Sequence, residues 1–349
     1  MIPVNIVTGF LGSGKTTLLR EVLGRPEYAD TAVIVNEFGE IGLDHFLLEE
    51  VEEGILLLQS GCICCTIRSD LQETIRSLQK RAGDGLIPKF RRLIIETTGI
   101  ADPAPIVSTI SSDPLISKHF YLANIVCTVD GLSGASSLAS APEAFKQAAV
   151  ADRILVTKSD LTEIDILVKI EKTLRHLNPT ASIQRSSGAE FDTKHLFSQD
   201  VFVSNAEAED VLTKLDRHLK GSASIQDPLK ILHDISSFSL EFPGSIDWIA
   251  FGVWLTATLH VHGENILRVK GILNTRESAE PVFINGVQHT MHPPIHMDRW
   301  PNGERTSRII FITRGIKKDI VQRSLHAFLS AADKEYRQNE LADLTTFRT

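Results

Sequence analysis

Gly9-Phe10-Leu11-Gly12-Ser13-Gly14-Lys15-Thr16 decides the fold. The octapeptide fits G-x-x-x-x-G-K-[ST], follows an apolar β-branched run at residues 3–7, and precedes a helix expected to begin near Lys15. Strand, glycine loop and helix N-terminus in that order make a phosphate cradle. The glycines let successive backbone N–H groups curl around one phosphate, the lysine reaches the oxygens of the next, and the hydroxyl of Thr16 is offered to Mg²⁺ at the positive end of the helix. Gly9, Gly12, Ser13, Gly14, Lys15, Thr16 and Thr17 are the expected phosphate-binding residues.

Outward from that loop, short β-branched runs alternate with helix-like segments. Strands are expected at 31–35, 55–58, 92–96, 124–129, 153–156 and 182–185, and helices beginning near Ile67, Pro142 and Ile164. The pattern predicts an α/β fold, a P-loop NTPase with a mostly parallel sheet covered by helices. Such a protein needs a carboxylate at the end of a second strand to orient magnesium or its water, and Glu96 supplies it. Glutamate reaches one methylene further than the commoner aspartate, so contact through a water is expected. In Glu96-Thr97-Thr98-Gly99 the N–H of Gly99 is placed to meet a γ-phosphate, which makes the segment a sensor of triphosphate against diphosphate.

The base is read from Thr157-Lys158-Ser159-Asp160. Guanine presents N1–H and N2–H₂ as paired donors that one carboxylate accepts together, whereas adenine presents an acceptor at N1. Asp160 therefore selects GTP, with the methylene stem of Lys158 along the ring. Thr157 stands where the usual guanine motif has asparagine.

Cys62-Ile63-Cys64-Cys65 holds three of the four cysteines, too few for a disulfide scaffold but clustered for a reason. Residues two apart on an extended chain share a face, so Cys62 and Cys64 present two thiolates to one ion, and a turn brings in Cys65. Soft sulfur suits Zn²⁺, Cu⁺ or Co²⁺, and without a second C-x-x-C the shell stays open, a form that suits transfer. Inert buried thiols and a redox pair are the alternatives. The stretch 36–45 follows the second strand, where many P-loop GTPases carry a switch. Its Glu37, Glu40 and Asp44 are candidates for magnesium, the attacking water or the thiolate-bound metal, or form an ordinary solvated loop. Cys127, inside an expected strand, reads as core.

After Lys220, Gly221-Ser222-Ala223-Ser224 and Asp227-Pro228 read as a linker. The expected domains are 1–220, a linker 221–228, a small α+β domain 229–333 and a polar tail 334–349. The α+β order is strand 235–240, helix 246–259, strands 266–273, 281–287 and 308–313, and helix 317–331. His260 and His262 are expected on one side of an extended segment, while Pro293 and Pro294 break any helical pairing of His292 with His296.

The chain has 349 residues, 42% hydrophobic and 23% charged, enough for two cores. Lys+Arg 36 against Asp+Glu 44 gives a net charge of -8, which argues against nucleic acid and acidic membranes as partners. No run reaches the roughly 20 apolar residues of a membrane helix. With no targeting segment visible either, a cytoplasmic protein is expected.

Taken in order, the P-loop at 9–16, the loop at 36–44, Cys62-Ile63-Cys64-Cys65, Glu96-Thr97-Thr98-Gly99 and Thr157-Lys158-Ser159-Asp160 resemble the CobW family of metal-associated P-loop GTPases. Residues 264–271 and 307–312 resemble that family's C-terminal domain. The resemblance implies slow GTP hydrolysis to GDP, coupled to binding a transition metal, zinc before cobalt, and delivering it to a client metalloprotein or a cofactor-biosynthesis enzyme. It implies Lys15 and Thr16 on phosphate and magnesium, Lys158 and Asp160 on guanine, and Cys62, Cys64 and Cys65 on the metal; Glu96 and Glu37 join Lys15 and Thr16 as the candidate catalytic residues, with Glu37 also a candidate metal ligand. A cobalt-handling GTPase of cobalamin synthesis, a P-loop kinase and a nucleotide-responsive metal buffer are the competing readings.

Overall fold

The computed structural model describes residues 1–35, 56–59, 67–186, 192–197, 234–300 and 303–332. The chain divides into two compact units, Met1–Val201 and Phe202–Thr349. The linker expected at 221–228 and the tail at 334–349 lie outside the described residues.

The first unit runs β1 (Ile2–Gly9), α1 (Lys15–Leu23), β2 (Thr31–Val35), β3 (Leu56–Gln59), α2 (Ile67–Gly83), β4 (Arg92–Glu96), α3 (Ala104–Ser112), β5 (Phe120–Asp130), α4 (Gly134–Ser140), α5 (Pro142–Val150), β6 (Arg153–Thr157), α6 (Ile164–Leu177), β7 (Ser182–Arg185) and α7 (Thr193–Leu196). Its seven strands pair in the order β3-β2-β4-β1-β5-β6-β7, every pair parallel. Parallel strands are covered on both faces, and β1, β4 and β6 are accordingly buried almost end to end. Leu18, Leu19, Val22 and Leu23 of α1 pack with Val7, Val33, Ile94, Val126 and Leu155, and Leu196 and Phe197 close the same cluster.

Register matters more to function than the layers do. Val7 and Val35 both pair with Glu96, Val35 with Gln59, Gly9 with Thr128, and Asp130 with Thr157. The carboxyl ends of six strands therefore finish along one edge, where open parallel sheets bind ligands.

Three differences from the expected elements have physical causes. β5 begins four residues before the expected strand because Phe120, Tyr121 and Leu122 pair with Ile2, Pro3 and Val4 of β1 and Phe120, Leu122 and Ala123 are buried; inside it, Asn5 Nδ2 donates to Oδ1 of buried Asn124 at 2.8 Å, whose own Nδ2 donates to the Leu196 carbonyl at 3.1 Å. Three helices, α3, α4 and the four-residue α7, were not expected. β-Branched α3 is held by burial of Ile106, Val107 and Ile110, and α4, made of small residues, by burial of Leu138, so packing overrides weak propensity.

The second unit is β8 (Ile235–Pro243), α8 (Trp248–His262), β9 (Ile266–Leu273), β10 (Val282–Val287), β11 (Thr290–Met291), β12 (Ile295–His296), β13 (Thr306–Arg314) and α9 (Lys318–Ala332). An antiparallel sheet ordered β11-β10-β9-β13-β8, with β12 on β10, packs one face against α8 and α9. Ile272, Phe283, Met297 and Ile310 form a separate small cluster. Asp247 caps α8 by accepting from Ala250 N at 2.7 Å, a contact typically worth about 1 kcal/mol. The helix runs on through His262, which corrects the expected extended pairing of His260 and His262. Two residues apart on a helix they point about 200° from each other, so they do not form a chelating pair.

Candidate functional site

The loop between β1 and α1 has a shape that only its glycines permit. Gly9 sits at φ 143°, and a Cβ there would lie 2.3 Å from Thr128 Oγ1 and 2.4 Å from the Thr128 carbonyl oxygen. Gly12 and Gly14 follow at φ 71° and 90°, curling the backbone into the start of α1. The loop is pinned from beneath. Ser13 Oγ lies 2.6 Å from Thr128 Oγ1, and Thr157 Oγ1 donates to the Ser13 carbonyl at 2.8 Å. Thr157 thus ties the base-reading segment to the phosphate loop, a function the sequence did not disclose.

Lys15 is largely buried, and its Nζ donates to the carbonyls of Gly9 at 2.8 Å and Phe10 at 3.1 Å. The ammonium is held inside the loop's own curl, where a phosphate oxygen would compete for it. Thr16 and Thr17 are exposed at the head of α1. Thr16 Oγ1 donates to Glu96 Oε1 at 2.9 Å, across 80 residues of sequence, so the expected magnesium hydroxyl and strand-end carboxylate stand together. Two hard oxygen donors beside a helix N-terminus suit Mg²⁺.

Beyond Glu96 the chain turns over the phosphate loop. Thr97 N donates to the Val7 carbonyl at 2.9 Å, and Thr97 Oγ1 to Thr8 Oγ1 at 2.9 Å. Gly99 lies so close to Leu11 that an added Cβ would meet its N at 2.7 Å and its Cα at 2.8 Å. Gly99 and the phosphate loop are therefore in contact.

At the other side, Lys158 takes φ 53°, a strained value for a lysine. Its Nζ donates to Asp130 Oδ2 at 2.7 Å and to the Gly12 carbonyl at 3.2 Å. Burial pushes the Asp130 carboxyl up, but hydrogen bonds from Lys158, the Leu132 N–H and the Ser133 hydroxyl, with the Lys158 charge, hold it below its ordinary value. Asp130 was missed in the sequence reading; a lone aspartate ending an apolar strand was the available signal. Asp160 stands exposed in the short turn Ser159–Leu161. Cys127 is buried, and desolvation pushes its thiol up to about 12 despite nearby Lys15, so it is a core residue.

The structure thus brings together Gly9, Gly12, Ser13, Gly14, Lys15, Thr16, Thr17, Glu96, Gly99 and Lys158, with Asp160 in the turn after Lys158. Glu37, Glu40, Asp44, Cys62, Cys64 and Cys65 lie outside the described residues. Among the described residues no cluster of histidine, cysteine and carboxylate side chains suits a metal ion, and no helix is long and apolar enough to cross a membrane.

A parallel sheet with a glycine loop between β1 and α1, an invariant-length lysine arm folded into it and a strand-end carboxylate beside it defines a P-loop nucleotide-binding protein. Residues 3–185 match the nucleotide-binding domain of CobW/HypB/UreG and residues 235–329 the cobalamin synthesis protein cobW C-terminal domain, and the chain belongs to that family. It is 31% identical over 313 residues to the zinc chaperone YjiA of Escherichia coli, covering 89% of this chain and 93% of that one. To the zinc chaperone CobW of Pseudomonas aeruginosa it is 29% identical over 367 residues, covering 94% and 92%. Among solved structures, the Zn(II)-bound YjiA GTPase from E. coli superposes with a TM-score of 0.72 at 26% identity, covering 94% of this chain and 98% of that one.

Proposed function

We propose that this chain is a GTP-hydrolysing metallochaperone that binds zinc through Cys62, Cys64 and Cys65 and hands it to a client metalloprotein or cofactor-biosynthesis enzyme. One observation carries the reading: Val35 pairs with both Glu96 and Gln59. The segment bearing Glu37 begins directly after Val35, and Cys62 follows Gln59 by three residues. Both segments therefore leave the sheet at the edge where Glu96 meets Thr16. At about 4.8 Å per strand, the end of β3 is about 10 Å from that of β4.

Lys15 would leave the Gly9 and Phe10 carbonyls for the β/γ-phosphate oxygens, and Gly99 N–H would meet the γ-phosphate. Thr16 and Glu96 would hold Mg²⁺, directly or through its water. Bound there, the ion supplies charge neutralisation across the phosphates. Glu37 is our candidate for positioning the attacking water or for joining the cysteines on the cargo metal. Lys158 and Asp160 would select guanine. No covalent intermediate is needed, and in our reading intrinsic turnover is slow. We place the junction between nucleotide-binding and C-terminal domains at 221–228, and the protein in the cytoplasm.

Zinc is preferred to cobalt because thiolate sites bind it more tightly and because relatives bear zinc in their names. The test is to supply GTP labelled at the γ-phosphate with Mg²⁺ and follow the label. Release as inorganic phosphate, lost in Lys15→Ala, supports the reading. Transfer to a small acceptor would make the protein a kinase, and zinc retained unchanged through turnover would make it a buffer.

A further inference from the structure

The loop that turns over the phosphate site between Thr97 and Ala101 is held by a residue from a distant helix. Gln147, on α5, is fully buried, and its Nε2 donates to the carbonyls of Gly99 at 3.2 Å and Ala101 at 3.0 Å. The neighbouring Lys146 pairs with Asp102 at 2.5 Å, so two consecutive α5 residues grip the loop at three points, 99, 101 and 102.

α5 is a firm platform for that grip. Buried Asn178 turns its Nδ2 to the carbonyls of Ala148, Ala149 and Ala151, at 3.0, 3.0 and 2.8 Å, closing the helix's C-terminal end. The start of the loop is equally fixed, by the Thr97 bonds to Val7 and Thr8. Between these anchors lie Thr98, Gly99 and Ile100. Two buried polar atoms in this small region have no hydrogen-bond partner among the described residues: Thr98 Oγ1 and Gln147 Oε1. An unpaired buried acceptor is costly, and an apolar side chain of the same size at 147 would avoid the one on Oε1. A glutamine used only for packing is therefore a poor solution, whereas one that must hold carbonyls in place is a sound one.

We infer that Gln147 is the positioning residue that sets Gly99 for discrimination of GTP from GDP; this rests on the proposed γ-phosphate contact of Gly99. By holding the Gly99 carbonyl, the amide fixes one end of the residue whose N–H is the proposed γ-phosphate contact. GDP ends at the β-phosphate, which the phosphate loop itself cradles, so only the triphosphate feels the setting. The free Oε1 and the free Thr98 hydroxyl are the groups available to a rearranged loop.

The experiment measures the affinities of the full chain for GDP and for a non-hydrolysable GTP analogue with Mg²⁺, together with kcat, KM and Tm, in wild type, Gln147→Met and Lys146→Met. In Gln147→Met the analogue is expected to weaken about tenfold while GDP stays within twofold, with kcat falling and KM for GTP rising. Lys146→Met, at a half-buried site that tolerates the change, is expected to show a smaller shift of the same sign. Equal weakening of both nucleotides in step with Tm would mean a merely structural glutamine and would overturn the inference. So would an unchanged affinity ratio in both variants. A wild-type chain that neither distinguishes the two nucleotides nor hydrolyses GTP removes the functional reading and this inference with it. A wild-type chain that does both, with variants that keep its ratio, removes the inference alone.

Discussion

The phosphate end and the base end of the site are built on opposite plans. At the phosphate end, Gly9 is packed against Thr128 with no room for a Cβ, Ser13 is bonded from two strands, and Lys15 is bound within the loop. At the base end, Asp160 stands exposed in a three-residue turn, and the side chain of Lys158, a residue in a left-handed conformation, reaches one carboxylate and one carbonyl. A phosphate is met by backbone, which cannot be replaced piecemeal. A base is met by side chains, which can. In the function we propose, the phosphate end would set whether a nucleotide binds, and the base end which one.

The sharpest way to break the contrast is Gly9→Ala. The new Cβ would collide with the Thr128 carbonyl at a φ that alanine avoids, and about 3 kcal/mol of stability should be lost, with nucleotide binding, in urea titration. Next comes Asp160→Ala, which leaves the phosphate end intact. Preference for GDP over ADP should fall roughly 10–100-fold while phosphate-dependent affinity persists. A preference that survives would move base selection away from Asp160.

Thr157→Val joins the two ends. It keeps the methyl that lies 3.4 Å from the Cβ position of Gly14 but removes the donor to the buried Ser13 carbonyl, at a cost of about 1–2 kcal/mol. Both GDP and ADP should weaken together, since the tether supports the loop and not the base. The smallest effect concerns Asp130. Its carboxyl is held below the ordinary aspartate value of 3.8, so the stability it contributes is complete above that pH and is lost as pH falls through the depressed folded value. Asp130→Asn should flatten the acid limb of a stability profile below about pH 4 and leave neutral pH slopes unchanged.

Much of this was readable in the residues themselves. The P-loop, Glu96 and the Thr157–Asp160 segment were legible because each carries its chemistry within a few contiguous residues. The order of strands and the α+β second unit followed from alternation and length. Contacts across the sheet were not legible. Nothing in Thr157 announces its bond to Ser13, 144 residues away, and Gln147 looks like any glutamine of a helix until its amide meets Gly99 and Ala101. α3 and α4 escaped because β-branched and small residues are poor helix formers unless buried. His260 and His262 misled because the helix expected to end at Leu259 continues three residues past that last buried leucine.

The central claim is that nucleotide state and metal affinity are one linked equilibrium. The most direct measurement is the Zn²⁺ affinity of the purified protein, by competition with a chelating dye, with Mg²⁺ and either GDP or a non-hydrolysable GTP analogue, in wild type and Cys64→Ala. The account predicts zinc binding at least fivefold tighter with the GTP analogue and a collapse of that binding without Cys64. Equal zinc affinity in both nucleotide states would contradict it, and the phosphate loop and the cysteines would then be separate devices.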